Sequence, residues 1–187
     1  MPEPIDVGID GVLLFPLTSH PDNRGSFTED YRRSWIAGGR EMVQGNISVS
    51  QANVLRGLHF HRQQADWWNF YTGVAVVGLH DLRTGSPTGG KGLAVRIDTA
   101  EGLKGLYIPR GVAHGFFAET DLMLHYMVDN YYTGDDEFGI AWDDPGLGVD
   151  WPATDPILSD RDRSNPGLAE VLLDAPPYDP YERANTR

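Results

Sequence analysis

The chain has no cysteine. That excludes a disulfide framework, thiolate chemistry and zinc sites built on cysteine. No run reaches about 18 apolar residues, so no segment is expected to cross a membrane as a helix. Basic residues are few: 15 lysines and arginines stand against 27 acidic residues, a net charge of −12. A general nucleic-acid binder needs a basic stripe, and none is present. An anionic small ligand would have to be held by particular arginines against the field of the whole protein. The opening residues, MPEPIDVGID, lack the basic and apolar regions of a signal peptide, and cytoplasmic residence is the expectation. Internal repeats and low-complexity linkers are missing too.

What is there reads as strand and turn. The 187 residues suit one domain, 1–187, with a full core. Its 22 glycines and 13 prolines are scattered, as expected where many short strands are joined by turns. GLAVRIDTA alternates Leu93, Val95 and Ile97 against Ala94, Arg96 and Asp98, the pattern of a half-buried strand. LMLHYMV puts Leu122, Leu124, Tyr126 and Val128 on one face and Met123, His125 and Met127 on the other. WWNFY-TG-VAVVGLHDL predicts a hairpin turning at Thr72-Gly73. Helix-like text is limited to about 29–37 and 168–173. The tail, 174–187, is proline-rich and polar, a segment expected on the surface or partly disordered. The whole predicts a mainly antiparallel sandwich or barrel.

Three motifs invite a function and are better explained by turns. Gly85–Lys91, GSPTGGK, fits the start of a phosphate loop, but Gly92 stands where a magnesium-binding hydroxyl belongs and no strand-to-helix context surrounds it. Asp143 and Asp144 are adjacent, so a strand would point them to opposite faces, and a turn cap is the better account. The run Asp135-Asp136-Glu137 reads as a solvated loop with Glu137 set apart below. Among six histidines, His20 falls in a turn, and His80 and His125 fall alone in strands. His59, His61 and His114 instead belong to two patterned segments.

Those segments are LRGLHFHRQQADWWNFYTG (55–73) and GLYIPRGVAHGFF (105–117). His-x-His, four residues, an acid, six residues and Gly is met by His59, His61, Asp66 and Gly73; Pro-x-Gly-x-x-His is met by Pro109, Gly111 and His114. The pair resembles the two motifs of the cupin barrel. A closer likeness covers nearly the whole chain through DNRGSFTE (22–29), QGNISVS (44–50), VLRGLHF (54–60), DLRTGSPTGG (81–90), YIPRGVAHGF (107–116), DDPGLGVDWP (143–152) and LSDRD (158–162). In these seven ordered segments the chain resembles the dTDP-4-dehydrorhamnose 3,5-epimerase family.

The resemblance implies a cupin-type antiparallel β-barrel (jelly roll) with a few short helices, a homodimer, and epimerisation at C3, C5 or both of a dTDP-4-keto-6-deoxyhexose. It implies no redox cofactor and no metal. His59 is the implied base, Asp162 its orienting acid, and Tyr126 the general acid on the opposite face of the sugar. Arg24, Glu29, Gln44, Asn46, Arg56, His114, Glu137 and Arg161 match the family's contacts to nucleotide or sugar, and Phe27 is the candidate stacking face for the thymine. Arginine forks suit a pyrophosphate because they donate paired hydrogen bonds and keep their charge.

Two positions depart from the family pattern. Asp66 stands where the family has a lysine that holds negative charge at the C4 oxygen, and Val77 where it has an aspartate; the resemblance places both in the site. An acid in place of that lysine repels an enolate. Two alternatives follow: a metal-dependent cupin enzyme using His59, His61, Asp66 and His114, and a catalytically silent protein that keeps the nucleotide contacts alone.

Overall fold

Along Asp66–Thr72 successive side chains leave the strand on opposite sides. Trp68 and Phe70 enter one apolar cluster and Trp67 another, so this strand is covered on both faces. The computed structural model describes residues 2–36, 38 and 40–180. Among them the chain forms β1 (Ile5–Asp6), β2 (Leu13–Pro16), β3 (Ser19–Asp22), β4 (Gly25–Thr28), β5 (Gln44–Ser50), β6 (Leu55–Phe60) and β7 (Asp66–Thr72). It continues with β8 (Val74–Asp81), β9 (Gly92–Asp98), β10 (Lys104–Ile108), β11 (Val112–Ala118), β12 (Leu122–Val128) and β13 (Phe138–Gly139). Two single-turn helices follow, α1 (Asp160–Arg163) and α2 (Leu168–Val171).

Six strands pair in the order β1-β2-β10-β7-β12-β5 and five in the order β13-β6-β11-β8-β9, with β3 and β4 in a sheet of their own. Every ladder is antiparallel. The main core joins Trp68, Phe70, Leu106, Ile108, Leu122 and Leu124 of the larger sheet to Val77, Leu79, Val112 and Phe116 of the smaller. The larger sheet's outer face packs Phe15, Trp67 and Tyr107 against Trp35 and Ile36. The smaller sheet's packs Leu58, Phe60 and Ala113 under Ile140, Leu147 and Leu168. The architecture is the expected mainly antiparallel β class, as two facing sheets with the barrel left open between their edges.

Two expectations need correction. The hairpin at Thr72-Gly73 does not form, because β7 and β8 belong to different sheets. Gly73, at φ +93°, turns the chain from one sheet to the other, and a Cβ there would overlap the Asp121 carbonyl. The helix over 29–37 reduces to a 3-10 turn at Arg33–Trp35, with residue 37 outside the described set. Helix α1, absent from the sequence reading, forms because Ser159 caps it through the Asp162 amide. Within the tail Pro176 is buried, and residues up to 180 are tied to the rest of the chain by a bridge from Thr84 to Pro177 and by the Tyr178 hydroxyl donating to Asp10. Its last seven positions, 181–187, lie outside the described residues.

Gly85–Lys91 lies in the connection between the paired strands β8 and β9, as the turn reading requires. It closes over Asp81, a wholly buried acid that accepts from Arg83 Nε (2.7 Å), Arg83 Nη2 (2.8 Å) and the Ser86 and Thr88 hydroxyls (2.6 Å each). Burial pushes the Asp81 carboxyl up, but these donors outweigh it and hold the group below the usual carboxylate range. Arg83→Ala leaves this buried acid without its cation. It should lower the unfolding free energy by about 3–5 kcal/mol, read as a lower urea midpoint at unchanged slope. A loss under about 1 kcal/mol, the worth of a surface pair, would show that the pair does not anchor the connection.

Candidate active site

The inward faces of β5, β7 and β12 on one side and of β6 and β11 on the other enclose a cavity of about 490 Å³. Its position follows from side-chain alternation. On β5, Gln44, Asn46 and Ser48 face in while Ile47 and Val49 face out; on β12, Tyr126 shares the inward face with Leu124 and Val128.

His59 enters from β6. Its Nε2 lies 2.6 Å from Asp162 Oδ1, at the start of α1. The Ser159 hydroxyl donates to Asp162 Oδ2 at 2.9 Å, so the carboxylate is oriented before it meets the imidazole. Burial pushes the Asp162 carboxyl up, yet the bond from His59, the Ser159 hydroxyl and the Gly57 amide together hold it below the usual range. Gly57 is needed here: at φ +117° a Cβ would sit 2.7 Å from Gly115 Cα, so only glycine lets β6 approach β11 this closely. With Nε2 committed to the acid, His59 Nδ1 remains for the cavity.

Tyr126 approaches from the opposite wall. Burial, with Asp66 and Glu137 nearby, pushes its phenol above the usual tyrosine range, so it keeps its proton at neutral pH. A base oriented by a carboxylate on one wall and a protonated phenol on the other can take a proton from one face of a bound carbon and return one to the other. Glu137 and Arg161 pair at the rim, 2.5 Å apart. Burial raises the Glu137 carboxyl, and the bonds from Arg161 and Tyr132 lower it further than that.

Deeper in, His61, Asp66 and His114 converge. His114 is buried and its Nδ1 lies 2.9 Å from the Val112 carbonyl; burial pushes this imidazole down to about 4. Asp66 accepts from Trp68 Nε1 and Gln64 Nε2, each at 3.0 Å.

The cavity therefore gathers His59, Tyr126, Asp162, Gln44, Asn46, Arg56, His114, Glu137 and Arg161, all expected from the sequence, together with His61 and Asp66. It does not gather Arg24, Phe27 and Glu29. Arg24 pairs with Asp22 and Glu29 with Arg32, while Phe27 is 71% exposed. The hairpin β3–β4 that carries Arg24 and Phe27 forms a separate sheet whose side chains reach no core cluster. Val77 is also misplaced by the family pattern, being wholly buried in the apolar core and not part of the cavity lining. His59 does not join the four-residue metal set, because Asp162 holds it; the converging set is His61, Asp66 and His114. The acidic run is not idle either, since Asp136 caps the Arg62 and Gln63 amides at 2.8 Å and its carbonyl meets His61 Nδ1. Tyr132, Ser48 and Gln64 also line the cavity without a role assigned to them from the sequence; for Ser48 the signal is the strand period through Asn46.

Comparison with known proteins bears on what this cavity does. Residues 6–170 match the family model described as dTDP-4-dehydrorhamnose 3,5-epimerase. The chain is 35% identical over 174 residues to a dTDP-4-dehydrorhamnose 3,5-epimerase of Streptomyces griseus, covering 88% of this chain and 86% of the relative. Among solved structures, the rmlC epimerase of Mycobacterium tuberculosis superposes with a TM-score of 0.87 at 31% identity over 96% of both chains. ChmJ, a 3'-monoepimerase of Streptomyces bikiniensis solved with dTDP-quinovose, superposes with a TM-score of 0.82 at 31% identity over 92% of both chains.

The His59–Asp162 pair makes a testable statement about charge. In the folded protein Asp162 should titrate below the usual carboxylate range. Its contribution to stability is therefore present above about pH 4 and lost as pH falls through the folded value. In His59→Ala the main opposing influence to burial is removed, so the carboxyl should titrate higher than in the wild type. Carboxyl carbon NMR of both proteins from neutral to acid pH reads this directly, and an unmoved Asp162 would remove His59 as the cause.

Proposed function

The chain belongs to the dTDP-4-dehydrorhamnose 3,5-epimerase family, and from that premise we propose that it epimerises a dTDP-4-keto-6-deoxyhexose at C3, C5 or both. The observation that carries the reading is the placement of His59, held by Asp162, and of Tyr126 on opposite walls of one cavity.

In this reading His59 Nδ1 removes the proton from the carbon beside the C4 ketone, and the electron pair moves to the C4 oxygen as an enolate. Asp162 keeps the ring oriented and stabilises the imidazolium that forms. Tyr126 then protonates the same carbon from the other face, the enolate collapses to the ketone, the phenolate recovers a proton from solvent and the His59 imidazolium releases its own to solvent. No electron leaves the substrate, so the step needs no redox cofactor. Arg56, Gln44 and Asn46 are the candidate contacts to the nucleotide half, with Arg161 and Glu137 at the rim.

The same reading gives the exposed hairpin a use. Arg24, Phe27 and Glu29 cannot serve the cavity of their own chain as placed, with the Arg24 side chain 85% exposed. Strand β5 closes one edge of the larger sheet and turns Ile47 and Val49 outward, beside Met123 of β12. We take this apolar edge as the face of a homodimer in which the hairpin of one protomer completes the cavity of its partner.

Proton NMR in D2O with a dTDP-4-keto-6-deoxyhexose tests the chemistry. The wild type should take up deuterium at C3, at C5 or at both. His59→Ala and Asp162→Asn should slow uptake by about 10²–10⁴-fold while dTDP still binds and competes. Binding of dTDP with no exchange at either carbon by the wild type would identify a silent binding protein instead.

Tyr126→Phe separates the two half-reactions. Deuterium uptake should persist, because water can return a proton to the face His59 serves, while net inversion falls by about 10²-fold or more. Equal inversion in mutant and wild type would take Tyr126 out of the mechanism.

A further inference from the structure

We propose that His61, Asp66 and His114 bind one divalent transition-metal cation at the inner end of the cavity. One ligand atom from each of the three lies within 4.8 Å of the others, and all three residues are buried. Tetrahedral metal bonds of about 2.0–2.2 Å set ligand atoms about 3.4 Å apart, so the His114 Nε2–Asp66 Oδ2 pair at 3.7 Å has a few tenths of an ångström to close, and no pair has more than about 1.4 Å to close.

Each donor is already set for the task by a group behind it. His61 Nδ1 lies 2.6 Å from the Asp136 carbonyl and His114 Nδ1 lies 2.9 Å from the Val112 carbonyl. A carbonyl can only accept, so in each ring Nδ1 carries a hydrogen, and in the neutral ring Nε2 presents a lone pair. His114 Nε2 points at Asp66 Oδ2 from 3.7 Å, beyond hydrogen-bond reach. Asp66 is fixed from the far side by Trp68 Nε1 on Oδ2 and Gln64 Nε2 on Oδ1. Backing of this kind, a carbonyl behind each imidazole and neutral donors behind the carboxylate, is what holds ligands in place around a metal.

Charge points the same way. Asp66 is 3% exposed, and among the described residues no lysine or arginine pairs with it. An ionised carboxylate buried in this way is costly unless it is paired or coordinates a cation. Here Asp66 has two neutral donors, Trp68 Nε1 and Gln64 Nε2, and on its cavity side two imidazoles whose neutral lone pairs repel it until something positive stands between them. Two imidazoles and one carboxylate suit Zn(II), Fe(II), Co(II), Mn(II) or Ni(II), and three protein donors leave positions open toward the cavity. His59 is not a fourth ligand, since Asp162 holds it, so base and ion can coexist. The ion's role rests on the epimerase reading: it supplies the positive charge that an enolate oxygen needs at the end of the cavity where this chain has an acid.

The test uses the full chain, stripped with a chelator and titrated with Co(II). One equivalent should bring up visible d–d absorption that Zn(II) displaces. Asp66→Asn and His114→Ala should each weaken Co(II) binding more than about 100-fold, beyond the about 10–100-fold that loss of a backing group costs. Gln64→Ala should fall within that smaller range, and Asp162→Asn should bind Co(II) as the wild type does. Retained dTDP binding shows that the variants are folded. Absence of the bands in the wild type, or Co(II) binding untouched by Asp66→Asn, would overturn the site. Deuterium exchange run alongside separates the two readings. Exchange by a protein that takes no Co(II) removes the site and leaves the epimerase, while stoichiometric Co(II) with no exchange does the reverse.

Discussion

The register of β7 is the constraint on which the rest depends. The strand lies between β10 and β12 in the larger sheet and is covered on both faces. Trp67 fills the outer layer against Phe15, Tyr31 and Trp35, while Trp68 stands edge-on to Phe70, His114 and Phe116 in the inner one. A slip of one residue would exchange those faces and turn Asp66 away from the cavity. Two buried indoles of similar size, each fitted to its own layer and each with a hydrogen-bond partner, make that slip costly. The position of the acid at the inner end of the cavity is thus set by the packing of its neighbours.

Around that frame the cavity handles charge in two separate ways. At the rim, acid and base are matched, His59 with Asp162 and Glu137 with Arg161, and each acid titrates below its ordinary range despite burial. At the inner end Asp66 has only neutral donors and two imidazoles. The first arrangement suits a base that must gain and lose a proton. The second leaves an attraction for a cation in a chain whose net charge is −12. The two are joined by Tyr126, whose phenol answers to both Asp66 and Glu137.

Strand text was legible where one face is apolar and the other polar, as over Leu122–Val128, whose inward set matches its burial. The same alternation put Tyr126 in the cavity, and short motifs identified His59, His114, Arg161 and Asp162. The Thr72-Gly73 pair does not distinguish two outcomes, because a glycine at positive φ serves a tight hairpin and a crossover between sheets equally well. Which one forms depends on whether the next strand pairs back, and β8 pairs with β9 and β11 instead. Helix α1 was missed because a single turn carries almost no periodicity; its sign was the Ser159 cap.

Sequence by itself determined the fold class, the family and the candidate residues for the proposed proton chemistry, because strand period and motif spacing are local properties of the chain. It could not decide which motif residues share a cavity. Arg24 and Phe27 sit in as clear a motif as His59, yet their hairpin forms a sheet of its own, a separation that depends on contacts the hairpin lacks. Val77 sits four residues after Gly73 in a pattern that suggests a site residue, but strand parity and sheet pairing bury it in the core. Only the tertiary structure took His59 out of the four-residue set and left His61, Asp66 and His114 facing one another. The reason is physical: Asp162 lies 103 residues from His59 in sequence, and only the docking of α1 beside β6 brings it within a hydrogen bond.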